Sequence, residues 1–210
     1  MRTTFLITIF MLTARILCAQ VFEPKFTADI YGGWGRRTIH NTDLENPTGQ
    51  PSLLASLRVG YRPFKFMQLE TGHTFTRYVA ADNWWIDKDR YFGNSYRTAY
   101  HNFPFILRIR PYKGWWIGGG AQYSLLHWGR YYPEFYEKEY ENIRSQFNSG
   151  VWNMYADIKW MPENFGFGIN YSRSITPVHK INNSWEMSYF NIYMVVDISL
   201  FIKRYYYRNF

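Results

Sequence analysis

The feature that most constrains this chain is a series of eight segments in which apolar and polar residues alternate. They lie at 25–37, 52–62, 66–78, 96–110, 116–127, 150–160, 165–176 and 187–201. Every second side chain of a β-strand points to the same face, so each segment predicts a strand with one apolar face. Beyond the N-terminal segment, no stretch approaches the ~20 apolar residues of a membrane-spanning helix. The sequence therefore predicts an all-β fold.

The connections between these segments alternate in length. The short ones are 63–65, 111–114 and 161–164, and the long ones are 38–51, 79–95, 128–149 and 177–186. Outer-membrane barrels have this asymmetry, with short periplasmic turns and long extracellular loops. Soluble sandwiches and lipocalin-like barrels are under no such constraint. The alternation favours an eight-stranded antiparallel up-and-down transmembrane β-barrel.

Hairpin geometry assigns the two faces of the sheet. The turn at 112–114 fits a three-residue loop with glycine in the left-handed conformation. The short turns at 63–65 and 161–164 likewise set which residues of their flanking strands lie opposite each other. The predicted cross-strand pairs are Arg108–Gly118, Ile109–Ile117, Arg58–Glu70, Val59–Leu69, Trp160–Phe165 and Ile158–Phe167. One face of every hairpin is then almost wholly apolar, whereas the other mixes charged residues with glycine.

The polar face carries five basic and four acidic residues, namely Asp29, Arg58, Arg62, Glu70, Arg108, Arg110, Asp157, Lys159 and Asp197. A closed lumen needs such a balance because buried charges must be paired, whereas a solvated face does not need it. We therefore predict that the apolar face contacts lipid. All of these charged residues except Arg62 are expected to form an ion-pair network in a lumen that side chains just fill.

Aromatic residues mark the two ends of the apolar face. The short-turn end has Tyr61, Trp160 and Phe165, and the end near the long loops has Phe75, Tyr123 and Trp152. Amphipathic rings at both membrane interfaces are typical of outer-membrane barrels. These six residues are the predicted aromatic girdles.

The first residues, "MRTTFLITIFMLTARILCAQ", have the pattern of a secretory signal peptide, with Arg2, an apolar run over 5–12 and Ala19. We expect residues 1–19 to be removed, which leaves no cysteine in the mature chain. Lipidation of Cys18 is the alternative, although the bulky Leu17 precedes it. Residues 20–201 should then form the barrel and 202–210 a basic, aromatic tail.

Charge and export together limit the partners. Loss of Arg2 and Arg15 leaves 22 basic against 16 acidic residues, a net charge of +6, and the basic residues form no single run. Nucleic acid is not expected as a partner of an exported chain. We expect contact with membrane lipid and with lipopolysaccharide phosphates.

Two stretches, "AYHNFPFILRIRPYKGWWIGGGAQYSLL" and "FGFGINYSRSITPV", resemble strands of the small outer-membrane β-barrel domain of Bacteroidetes, which includes PorT-like proteins. The resemblance covers roughly residues 26–201. It implies an eight-stranded barrel in the outer membrane, in a family that ranges from structural barrels to secretion accessories, and it carries over no catalytic residue. The chain departs by continuing as "IKRYYYRNF", so either Phe201 or Phe210 could serve as the terminal aromatic that assembly machinery recognises.

Catalytic and metal sites have weak support in the sequence. The five histidines, His40, His73, His101, His127 and His179, lack the spacing of metal ligands, and no metal or cofactor is expected. Some outer-membrane barrels modify lipid A, and the candidate pair here is Ser124 with His127, joined by Glu134 or Glu137. Their odd spacing places these two side chains on opposite faces of a strand. We therefore predict a protein that is not an enzyme.

The predicted loop 128–149 is the richest surface segment. Its candidate partner-binding residues are Arg130, Tyr131, Tyr132, Phe135, Tyr136 and Tyr140. Aromatic residues and arginine are enriched at protein interfaces, although the whole chain is rich in aromatic residues. The sequence favours a structural or adaptor barrel, such as an accessory of an envelope or secretion complex. The alternatives are a lipid-modifying enzyme and, with less support, a secreted soluble ligand-binding barrel.

Overall fold

In a computed structural model, eight antiparallel strands form a closed barrel, described over residues 25–43, 47–86, 89–133 and 140–199. The strands are β1 (Lys25–His40), β2 (Gln50–Phe64), β3 (Met67–Ile86), β4 (Asp89–Tyr112), β5 (Trp115–Tyr132), β6 (Gly150–Trp160), β7 (Phe165–Ser174) and β8 (Glu186–Asp197). Each strand pairs with the next along the chain, and β8 pairs with β1 to close the barrel. The predicted fold class is confirmed.

Three smaller elements lie at the end of the barrel that has the long connections. The two-residue strands Pro47–Thr48 and Glu141–Asn142 pair with β3 and β5, and a short 3-10 helix spans Arg144–Gln146. Within the described ranges, no helix has the length and apolar character needed to cross a membrane. The predicted signal peptide 1–19 and tail 202–210 lie outside the described residues, as do Phe201 and Phe210.

Strand β6 illustrates why the sequence folds in this way. Its residues alternate strictly between exposed and buried from Trp152 to Trp160, with Asp157 and Lys159 on the buried side. Because the sheet closes on itself, each barrel strand has a partner for the hydrogen-bonding groups on both of its edges, which a strand in hydrocarbon requires. The outward face is apolar throughout this strand, so the inside and outside are as predicted.

The central hairpin has the predicted register, in which Arg108 lies opposite Gly118 and Ile109 opposite Ile117. Gly114 in its turn has a φ of 85°, the left-handed conformation that glycine adopts without strain. Tyr112 pairs with Trp115, so the loop has two residues, Lys113 and Gly114, and not the predicted three. A bulge between Ile109 and Tyr112 compensates for this difference, and the rest of the hairpin keeps the predicted register.

The other two hairpins are shifted by two residues from the prediction. Val59 lies opposite Thr71 and Arg58 opposite Gly72, because β2 continues to Phe64 through a bulge near Pro63, which has no N–H to donate. This correction exchanges the cross-strand partners but not the faces. A shift of two residues keeps the alternation, whereas a shift of one would have reversed it.

The hairpin of β6 and β7 is shifted by the same amount. Trp160 lies opposite Phe167 and not Phe165, and Ile158 lies opposite Ile169. The N–H of Met161 donates to the carbonyl of Gly114 at 2.6 Å, so the chain leaves the hairpin directly after Trp160. Six residues, 161–166, therefore separate the paired residues Trp160 and Phe167, whereas the prediction placed four residues between Trp160 and Phe165.

The predicted long connection 79–95 is wrong. Strands β3 and β4 continue to Ile86 and Asp89, and they pair across this whole stretch. Strand β5 also continues to Tyr132, so the first five residues of the predicted loop 128–149 belong to a strand. A tilted strand spans the hydrocarbon layer of a membrane with about 9–11 residues. Strand β4 has 24 residues, so it extends well beyond that layer. Aromatic residues are frequent in this stretch, and they favour strands.

Two of the remaining long connections pair with each other at the upper end of the barrel. The N–H of Asn148 donates to the carbonyl of Val178 at 2.8 Å, and that of Lys180 to the carbonyl of Gln146 at 2.8 Å. Phe147 and Trp185 are buried beneath these bonds. We call the paired segments 143–149 and 175–185 the cap. Seven residues of the predicted loop 128–149 therefore belong to the cap, and two of them, Ile143 and Phe147, are buried.

The cap contains a histidine whose protonation should loosen it. The Nδ1 atom of His179 accepts hydrogen bonds from the N–H groups of Asn182 at 2.9 Å and Ile181 at 3.3 Å, and burial lowers the pKa of His179 below 6.5. Because the folded cap disfavours the protonated form of His179, the cap keeps its full stability when the pH is above the pKa of the unfolded state. That stability is lost as the pH falls below about 6.5.

We therefore expect amide hydrogen exchange in 175–185, corrected for the intrinsic rate, to accelerate between pH 7.5 and 5.5. Each unit of pKa difference corresponds to about tenfold in the opening equilibrium. The control is His179→Asn, because an asparagine oxygen can accept the same bonds and does not titrate. An unchanged pH dependence in that variant would rule out this role for His179.

Candidate functional site

The candidate site is a charged cluster in the lumen, centred on Glu70. Its Oε1 atom lies 3.1 Å from Nη1 of Arg58 and 2.9 Å from Nη2 of Arg108, and its Oε2 atom lies 3.8 Å from Nζ of Lys159. The hydroxyl of Tyr31 donates to the same carboxylate at 3.1 Å. The single negative charge of Glu70 is thus shared among three positively charged side chains.

Two further carboxylates complete the cluster. Oδ2 of Asp157 lies 2.7 Å from Nη2 of Arg108, and Oδ2 of Asp29 lies 3.5 Å from Nζ of Lys159. Asp157 also accepts a hydrogen bond from the hydroxyl of Tyr193 at 3.0 Å. All six charged side chains belong to residues at most 4% exposed. Three cations and three carboxylates therefore balance one another inside the barrel. We call these six residues the lumen cluster: Asp29, Arg58, Glu70, Arg108, Asp157 and Lys159.

Glycine makes room for the lumen cluster. Gly118 lies opposite Arg108, and a Cβ atom added there would collide with Oδ1 of Asp157. On β7, a Cβ atom on Gly168 would collide with the Tyr193 hydroxyl. Large polar side chains from neighbouring strands fill the space that these two glycines leave.

The structure brings together six of the eight predicted network residues. The other two are Arg110, whose guanidinium lies 5.6 Å from the ring centre of Trp116, and Asp197, whose Oδ1 accepts the N–H of Ser199. The predicted network did not include Tyr31, Tyr155 and Tyr193, although strand parity places all three on the lumen face. Parity was the available signal, but only charged residues were assigned to the network.

A neutral polar layer lies above the lumen cluster. The hydroxyl of Ser124 donates to Oδ1 of Asn102 at 2.5 Å and accepts from Nδ2 of Asn153 at 2.8 Å, while Tyr189 donates to Gln122 at 2.7 Å. The Ser124 hydroxyl is therefore held by amides inside the barrel.

The candidate catalytic partner His127 is on the other side of the wall. Its ring packs against Phe75, with centres 5.8 Å apart, and against His101. Ser124 and His127 consequently do not share a site. Glu134 and Glu137 lie outside the described residues.

Three of the five histidines do meet, which the sequence reading missed. Nε2 of His73 lies 2.9 Å from Nδ1 of His101, and the His127 ring follows at 5.1 Å from that of His101. They belong to adjacent strands, so their sequence spacing gave no signal. Nevertheless, the described part of the chain has no His, Cys, Asp or Glu group arranged to hold a metal ion.

The predicted girdle residues all lie on the outer wall. Five of them are exposed: Tyr61, Trp160, Phe165, Phe75 and Trp152. Tyr123 is half-buried, and its ring centre lies 4.9 Å from that of Trp152, with the two rings tilted by 48°. Residues from the girdles and the apolar band between them form the exposed outer wall: Phe26, Leu57, Val59, Leu69, Phe105, Leu107, Ile117, Ile158, Ile169 and Ile192.

The predicted partner-binding residues are divided between elements. Arg130, Tyr131 and Tyr132 are in β5, and Tyr140 is exposed beyond it, with its ring centre 4.2 Å from the Arg130 guanidinium. Phe135 and Tyr136 lie outside the described residues. The described members therefore belong to the upper barrel wall and its rim.

Comparison with solved structures places the chain among small outer-membrane barrels by fold. Neisserial surface protein A has a TM-score of 0.50 and 10% identity over 83% of this chain and 99% of that chain. The attachment invasion locus protein Ail of Yersinia pestis has a TM-score of 0.48 and 11% identity over 84% of this chain and 99% of that chain. No family model and no curated protein matches the sequence. At these identities the likeness concerns the fold.

Proposed function

We propose that this chain is a non-catalytic barrel of a Gram-negative outer membrane, with a structural or adaptor role. The observation that carries the proposal is the inversion of polarity between its two surfaces. The exposed wall is apolar between two aromatic girdles, whereas the buried interior holds balanced charges. A soluble barrel would bury the apolar surface and hydrate the charged one.

The packing of the interior supports a structural role rather than transport. The lumen cluster and the amide layer around Ser124 are both buried, and the cap lies above them. Eight strands enclose only the volume of their inward side chains, which agrees with this filling. A rigid, filled barrel presents its outer wall and rim to other molecules. The sequence resemblance to PorT-like barrels of Bacteroidetes supports an accessory role in the envelope.

We expect the mature chain to fractionate with the outer membrane and to migrate faster on a gel before boiling than after it. Closed barrels resist detergent because their strands are fully paired, and heat then opens them. The measurement is membrane fractionation followed by electrophoresis of unboiled and boiled samples. Recovery as a soluble periplasmic protein would support the secreted soluble barrel instead.

Gram-negative cells that express the protein also test whether it is an enzyme. Mass spectrometry should find lipid A unchanged by expression of the protein, and Ser124→Ala should make no difference. Acylation changes that disappear in Ser124→Ala and also in His127→Ala would establish the lipid-modifying enzyme.

A further inference from the structure

A groove of about 440 Å³ crosses the outer wall above the upper girdle. Its lining includes Arg77 of β3, Arg97 of β4 and Arg130 of β5, together with Trp128 and Tyr132. Three arginines from three consecutive strands thus share one concave surface. We call this surface the arginine groove.

The register makes the arginine groove electrostatically unfavourable when it is empty. Arg97 lies directly opposite Arg130, and Arg77 lies opposite Ala99, which in turn lies opposite Trp128. Like charges directly across two strands destabilise a sheet. Among the described residues, no carboxylate forms an ion pair with any of the three arginines, in contrast to the lumen cluster. The groove therefore has a charge that an anion would neutralise.

Aromatic rings hold the arginines in position. The guanidinium of Arg97 lies 4.1 Å from the Tyr132 ring centre, that of Arg130 lies 4.9 Å from Trp128, and that of Arg77 lies 6.0 Å from Trp128. Stacking orients a guanidinium and leaves its edge able to donate. The Nε–H of Arg97 donates to the Ser95 hydroxyl at 3.3 Å. Planar guanidinium groups that converge on one space suit the bidentate recognition of phosphate.

The height of the groove selects the kind of phosphate. Strands of an outer-membrane barrel rise about 2.5 Å per residue along the axis, given their tilt. Arg77 is then about 5 Å above the girdle residue Phe75. Arg130 is seven residues beyond Tyr123, but one residue between Leu126 and Trp128 is bulged, so Arg130 is about 15 Å above Tyr123. The headgroup layer of an ordinary phospholipid is only about 5–8 Å thick. A phosphorylated saccharide headgroup extends further and reaches the whole groove.

We propose that the arginine groove binds the phosphate groups of a phosphorylated outer-leaflet glycolipid of the lipid A type. This inference rests on the proposed outer-membrane location and adds a site to it. The bound phosphate would bridge Arg97 and Arg130 and relieve their repulsion. Arg77 would contact the same headgroup from below.

The test uses the full mature barrel in nanodiscs of zwitterionic lipid, titrated with diphosphorylated lipid A. Replacing all three arginines with glutamine (Arg77→Gln, Arg97→Gln and Arg130→Gln) should weaken binding at least tenfold. Matched controls are Arg36→Gln and Arg173→Gln, which change exposed arginines of β1 and β7 and should stay within about twofold. Heat-modifiable migration verifies that each variant is folded, and the single Arg97→Gln variant provides a milder test.

The chemical specificity is tested with the wild-type barrel. Dephosphorylated lipid A should bind as weakly to it as phosphorylated lipid A binds to the triple variant, and inorganic phosphate should not compete at equal concentration. Equal binding of the two lipids, or an unaffected triple variant, would overturn the proposal. Competition by inorganic phosphate would also overturn it and point to a free-anion site. These outcomes are independent of fractionation, so failure of the groove is distinguishable from failure of the outer-membrane location.

Discussion

Replacing Glu70 with leucine should destabilise the barrel by about 3–5 kcal/mol, because it leaves buried cations without their counterion. Glu70 contacts Arg58, Arg108 and Lys159, and it accepts a hydrogen bond from Tyr31. Without it, three cations would face only the two remaining carboxylates of the lumen cluster. The free energy of unfolding in lipid vesicles, measured by urea titration, gives the magnitude.

The double change Arg58→Met with Glu70→Leu should cost less than Glu70→Leu alone. It removes one charge of each sign, so two cations and two carboxylates remain balanced. Arg108 keeps Asp157, at 2.7 Å, and Lys159 keeps Asp29, at 3.5 Å. The interaction energy from the double-mutant cycle should therefore be large, since the two residues belong to one network.

The matched control is Glu186→Leu, which breaks the pair of Arg173 and Glu186. Their side chains are 50% and 31% exposed, so solvent screens this pair and its loss should cost far less than the loss of Glu70. A Glu70→Leu variant no less stable than this control would show that the lumen cluster is hydrated. A double variant at least as unstable as the sum of the single variants would show that charge balance is irrelevant.

The fold and the faces of the strands could be predicted from the sequence because alternation has a period of two. Arg58 and Glu70 were placed on the lumen face although their register was wrong by two residues, since such a shift preserves parity. Only the central hairpin, with Gly114 in a left-handed turn, had a residue that determined its register. The bulge at Pro63 depends on local geometry that alternation does not encode.

The membership of the lumen cluster could not be predicted in the same way. Lys159 on β6 meets Asp29 on β1 across the closed lumen, and no periodicity relates these two strands. Such a contact depends on strand tilt and closure, which the sequence determines only through the assembled barrel. His73, His101 and His127 meet instead through the register of the adjacent strands β3, β4 and β5, which the wrongly predicted connection 79–95 left unassigned.

Arginine at Leu57 should destabilise the barrel by about 2–4 kcal/mol, because this side chain faces the middle of the hydrocarbon layer. Leu57 is 55% exposed on the outer wall. It is four residues from the girdle residue Tyr61, which is about 10 Å along the barrel axis. A guanidinium at that depth must leave water or distort the bilayer.

Leu53→Arg is the matched control, because it makes the same change on the same face of the same strand. Leu53 is eight residues from Tyr61, about 20 Å along the axis and near the upper girdle, where arginine costs only about 0–1 kcal/mol. Its side chain is 79% exposed, more than that of Leu57. Exposure alone would therefore give Leu53 at least as large an effect, whereas depth in a membrane gives it the smaller one. Unfolding free energies in vesicles should rank Leu57→Arg as the less stable variant; equal costs would mean that no hydrocarbon surrounds this wall.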